Sequence, residues 1–147
     1  MELQCRCGAR IGEVFNIRVK DIDGKKIIIQ NPKSGKKKEA IFMPEQVAGR
    51  LRAYIQEKGL KEQDRVFNLF YATARTMINK LGVKVGIKLS PHDLREHSAT
   101  YASRNGVPLE LISKVLLRHQ NLKTTQLYLG RVSDSEAIRW MDILHGK

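Results

Sequence analysis

Cysteine is scarce in this sequence, acidic residues are outnumbered, and long apolar runs are missing. The only cysteines are Cys5 and Cys7. Separated by one residue, they are poorly placed to pair, and no second Cys/His cluster completes a zinc site. The expectation is two free thiols in a reducing cytoplasm rather than a disulfide-stapled secreted fold. No segment approaches the roughly 20 apolar residues of a membrane span. The start, MELQCRCGAR, lacks the apolar stretch of a signal peptide, and no long amphipathic basic helix stands out. No membrane partner is therefore expected. Acidic residues number 15 against 27 Lys+Arg, a formal net charge of +12. Such an excess suits a polyanion, because basic side chains displace condensed counterions from a phosphate backbone. A soluble domain carrying surplus lysine would show the same balance.

What is present suits one domain. A chain of 147 residues with 41% hydrophobic content can bury an ordinary core and is not globally disordered. Ile11, Val14, Phe15 and Val19 follow helical spacing and predict a helix over 11–19, entered through a turn at Cys7-Gly8-Ala9-Arg10. Lys26–Gln30 reads as a strand, Pro32-Lys33-Ser34-Gly35 as a hairpin tip, and Glu39–Met43 as the returning strand. Pro44 opens a helix through about Lys58, and another is predicted over 71–81, ending at Gly82. Ser90-Pro91-His92-Asp93 is a strong start signal, combining an N-cap serine, proline at the first helical position and an acid at the third. That helix should stop at Gly106, and Pro108 should open the next, through about Leu117. After a break at His119–Asn121 comes a short helix with Thr124, Thr125 and Tyr128. Ser133-Asp134-Ser135-Glu136 caps a last helix over 134–145. The fold class is α+β, mainly helical, with a small antiparallel sheet near the N-terminus.

Some residues suggest chemistry on phosphate. A guanidinium fork matches phosphate oxygens and keeps its charge. His92 and Arg95, three apart, share a helix face near the positive end of its dipole. Arg10 opens a helix beside a glycine, and His119 lies at a helix break. Lys33, Lys36, Lys37 and Lys38 make a basic hairpin able to track a groove. Each has a bland alternative: surface charges for Arg10, His92, Arg95 and the lysines, a turn residue for His119, and core for Tyr128, as is expected of Tyr54, Tyr71 and Tyr101.

Taken in order, these motifs resemble the tyrosine recombinases of the phage-integrase type. Cys7-Gly8-Ala9-Arg10-Ile11-Gly12-Glu13 is similar to their first arginine box. Pro32-Lys33-Ser34-Gly35 with Ala40-Ile41-Phe42-Met43-Pro44 resembles their lysine hairpin, and Ser90-Pro91-His92-Asp93-Leu94-Arg95 their His-x-x-Arg box. Leu116-Leu117-Arg118-His119 with Thr124-Thr125-Gln126-Leu127-Tyr128 resembles the last box, which holds the nucleophile. The resemblance implies that Arg10 and Arg95 clamp a scissile phosphate and that His92 and His119 bond its oxygens. Lys33 would protonate the leaving 5′ oxygen, and Tyr128 would form a 3′-phosphotyrosyl bond without metal, ATP or other cofactor. Double-stranded DNA is the implied partner, with Lys36, Lys37, Lys38, Arg118 and Lys123 as further contacts. Arg118 stands where the family usually has glycine, and Cys7 where threonine is usual. The family's N-terminal helical domain is not recognisable, so the start reads as truncated. The apolar helix 134–145 is expected to dock on a neighbouring subunit. A non-catalytic DNA-binding module, a decayed integrase and a type IB topoisomerase are the alternatives.

Overall fold

The computed structural model describes residues 1–129 and 133–145, except for the Tyr128 side chain. A short helix, α1 (Glu2–Cys5), precedes the turn at Gly8 and leads to α2 (Ile11–Asn16). Strands β1 (Ile22–Asp23), β2 (Lys26–Gln30) and β3 (Lys38–Phe42) form one antiparallel sheet in the order β1-β2-β3. Its register pairs Ile27 with Ile41 and Ile29 with Glu39. Alternation places Ile27, Ile29, Glu39 and Ile41 on the buried face, so a carboxylate enters the core beside three isoleucines. The helix α3 (Glu45–Glu57) covers that face with Val47, Ala48 and Leu51. These elements make the main apolar core.

Helix α4 (Tyr71–Lys84) corrects the expectation that Gly82 ends it. Gly82 lies inside the helix because the chain folds back over it. A Cβ there would sit 2.6 Å from the Ile87 carbonyl oxygen and 2.7 Å from Leu89 Cβ. Glycine serves close packing here, not helix termination. Tyr71 and Tyr101, expected in the core, are 52% and 63% exposed.

Helix α5 (Pro91–Arg104) begins as its cap signals require. Asp93 Oδ2 accepts from the Ser90 backbone N–H at 2.7 Å and from its hydroxyl at 2.6 Å. It packs on α1, and Gln4 Nε2 donates to the Pro91 carbonyl at 3.0 Å. The helix predicted from Pro108 is shorter and wider than expected: one α turn, α6 (Leu109–Leu111), runs into a π turn over Ile112–Leu116. Leu117 N–H donates to the Ile112 carbonyl at 2.8 Å, and the chain then turns at Arg118 with φ 54°. Helix α7 (Leu122–Leu129) packs against α5. The last helix, α8 (Asp134–His145), stands at the other end of α5, where Trp140 packs on Gly106 and Glu136 lies 3.7 Å from Arg104. No helix among the described residues is long and apolar enough to cross a membrane.

Candidate active site

The site forms where the 116–119 turn meets the N-terminal region. Arg10 is the N-cap residue of α2. Its backbone N–H donates to Glu13 Oε2 at 2.8 Å, and its Nη1 to Glu13 Oε1 at 2.7 Å. Nη2 reaches the carbonyls of Leu117 at 3.4 Å and Arg118 at 3.3 Å. Arg95 comes from α5 and is buried, donating to the carbonyls of Gly8 and Leu117. Two arginines distant in sequence therefore share the Leu117 oxygen. His92, one turn earlier on α5, is exposed.

His119 follows the same turn. Its backbone N–H donates to the Ser113 carbonyl at 2.9 Å, and its Nδ1 lies 2.9 Å from the hydroxyl of the buried Thr125. Burial pushes its pKa down to about 4, assisted by the positive charges of Arg95, Arg10, Arg118 and His92. The imidazole is thus neutral at pH 7 and, in the free protein, a weak proton acceptor.

Lys33 is exposed on the β2–β3 loop, and it lines a cavity of about 370 Å³ together with Arg10, Glu13 and Asp21. Gln120 Nε2 donates to the Ser34 carbonyl at 2.6 Å, tying this loop to the His119 segment. Lys36, Lys37 and Lys38 are exposed on the loop and the start of β3, and Lys123 is exposed on α7. Tyr128 falls within α7, but its side chain lies outside the described residues.

Arg118 is a correction. It was expected to face phosphate, yet its side chain is 4% exposed and committed internally. Nη2 donates to Glu13 Oε2 at 2.6 Å and Nε to Glu39 Oε2 at 3.2 Å. The two carboxylates draw it inward because a buried charge needs a counter-charge. Sequence reasoning missed both partners. The signal for Glu39 was its inward place in the alternation with Ile41, a position that demands a cation. No group of His, Cys, Asp and Glu among the described residues is placed to hold a metal ion.

The chain is similar to known proteins in sequence and in fold. Residues 1–136 match the phage integrase family. The tyrosine recombinase XerA of Saccharolobus solfataricus is 39% identical over 129 residues, covering 86% of this chain and 43% of that protein. A crystal structure of XerA recombinase superposes with a TM-score of 0.80 at 30% identity, covering 99% of this chain and 56% of that one. The Tn1549 transposon integrase, solved in complex with transposon right end DNA, shares the fold with a TM-score of 0.75 at 20% identity, covering 97% of this chain and 56% of that chain. The chain spans about half the length of these relatives. With four motifs in order and a match over nearly its whole length, the chain belongs to the phage integrase family of tyrosine recombinases.

Proposed function

We propose that this chain is the catalytic domain of a site-specific recombinase that cuts and rejoins double-stranded DNA through Tyr128. The observation that carries the reading is the meeting of Arg10 and Arg95 at one carbonyl, with His119 two residues further on. A scissile phosphate bound there takes charge-assisted hydrogen bonds from both guanidiniums. His92 and His119 bond its oxygens. The Tyr128 hydroxyl attacks phosphorus and passes its proton to His119, whose basicity rises because the negative charge of the bound phosphate offsets the surrounding arginines. The phosphorus–O5′ bond breaks, and O5′ takes a proton from Lys33. The product is a 3′-phosphotyrosyl bond, and attack by another 5′ hydroxyl reverses the sequence with bond energy conserved. Losing one preorganised arginine donor would raise the barrier by roughly 3–4 kcal/mol.

Lys36, Lys37, Lys38 and Lys123 supply contacts to the DNA backbone, and the site of action is the cytoplasm, where a prokaryotic or viral protein acts on host DNA. The outer face of α8, with Ile138, Met141, Ile143 and Leu144 all more than half exposed, supports association with a second copy on DNA. The family resemblance is what favours that use over further packing within the chain.

The test is a pool of randomised duplexes carrying 5′-bridging phosphorothiolates, incubated with the chain in EDTA. An SDS-resistant protein–DNA adduct that Tyr128→Phe abolishes is the expected result. Retarded DNA with no adduct from the parent chain identifies a binding module instead. An adduct that survives the substitution moves the nucleophile elsewhere.

A further inference from the structure

Arg118 holds a left-handed backbone conformation, φ 54°, that side chains other than glycine rarely adopt. Its guanidinium holds it there, donating to Glu13, to Glu39 and, through Nη1, to the Leu116 carbonyl at 3.1 Å. The same two carboxylates face Arg10, whose Nη1 lies 2.7 Å from Glu13 Oε1 and 3.8 Å from Glu39 Oε2. Two guanidiniums and two carboxylates therefore balance. Glu39 is the less satisfied acid: its Oε1 is buried without a hydrogen-bond partner among the described residues. Take Arg118 away, and both acids have Arg10 as their nearest remaining cation. Arg10 would then be drawn onto Glu39 and away from an incoming anion.

We propose that Arg118 is a positioning residue for Arg10: by neutralising Glu13 and Glu39 it leaves the Arg10 guanidinium available to phosphate, and it fixes the turn whose carbonyls Arg10 and Arg95 share. This inference rests on the catalytic reading above. It assigns Arg118 no contact with DNA.

Arg118→Gly tests it, because glycine fits the backbone and removes only the side chain. Adding Glu39→Gln removes the surplus negative charge. Adduct formation on the phosphorothiolate pool should slow by roughly tenfold to hundredfold in the single variant, by analogy with lost outer-shell partners of metal ligands. Duplex affinity, spread over many backbone contacts, should fall far less than the rate, and the double variant should recover most of the rate. The second readout needs no DNA. The imidazole of His119 faces Arg95 and His92 from α5, Arg10 from the start of α2, Thr125 from α7, and Arg118 beside it. Its NMR titration midpoint should rise in Arg118→Gly and fall back partway in the double variant.

A single variant as fast as the parent overturns the proposal. So does a double variant that regains the parent's melting temperature but not its rate, since that is a purely structural role. If Arg118→Gly does not fold, the double variant decides alone, and a folded but slow protein contradicts the inference. If the parent forms no adduct, the catalytic reading fails separately. The His119 titration then still judges the charge balance, and an unmoved midpoint refutes it.

Discussion

The two ends of this chain are held together by different forces. From Leu3 to Val66, thirteen buried side chains among the described residues share one apolar cluster, with Ile27 and Ile41 completely covered. Around α5, the π turn and α7 the corresponding cluster is Ala99, Ile112 and Leu117. That second region buries polar groups instead: Arg95, Ser98, Ser113, Arg118 and Thr125. Apolar burial is strong but non-directional, so it builds a frame. Hydrogen bonds and ion pairs set orientation, so they aim side chains. The anchors of the second region reach back into the first, at Gly8, Glu13 and Glu39. The candidate site is therefore a seam, with Arg10 and Lys33 supplied by the densely packed side and His92, Arg95, His119 and Tyr128 by the sparsely packed one.

The contrast can be broken at several points. The largest effect is expected in the frame. Ile41→Ala should cost about 2–5 kcal/mol in urea denaturation, by lost transfer energy plus a cavity. Adduct formation per folded molecule should stay at the parent level. Gly8→Ala acts at the seam. Its φ of 64° costs an L residue about 1–2 kcal/mol. The new Cβ would lie 2.7 Å from the Leu116 carbonyl oxygen, for roughly a further 1–3 kcal/mol. Because the Gly8 carbonyl anchors Arg95, adduct yield should fall even where the variant is fully folded. Equal adduct yields from the two folded variants would show that the seam has no special part in the chemistry.

Smaller changes address His119 alone. Thr125→Val removes its Nδ1 partner and should cost about 0.5–1.5 kcal/mol by thermal melting. The pH dependence has a definite sign. The folded-state pKa of about 4 lies below the usual 6.5, so between these values the unfolded chain binds more protons. The stabilisation is fully present above about pH 6.5 and is lost as pH falls towards 4. His119→Gln should flatten that limb of a melting-temperature profile. The effect will be small, because the ring is only partly buried and solvent screens it.

Local signals in the sequence were legible, and long-range ones were not. Ser90, Pro91 and Asp93 announce α5 because a cap is built from neighbouring residues. The run Ile27-Ile28-Ile29 announces a strand of the sheet. Gly82 misled because its reason lies at Ile87 and Leu89, in a fold-back that periodicity does not register. The π turn after Leu111 escaped for a similar reason, since its spacing differs little from an α-helix over one turn. At the site, His92 and Arg95 could be paired from their spacing. The burial of Arg118 could not, because its partners lie 105 and 79 residues away.

A crystal structure of the chain trapped on a phosphorothiolate duplex would address the central arrangement directly. One phosphorus bonded to Tyr128, with Arg10, Arg95, His92 and His119 all within hydrogen-bonding distance of its oxygens, is the expected result. A phosphate held elsewhere, with both arginines still donating to the Leu117 carbonyl, would contradict it.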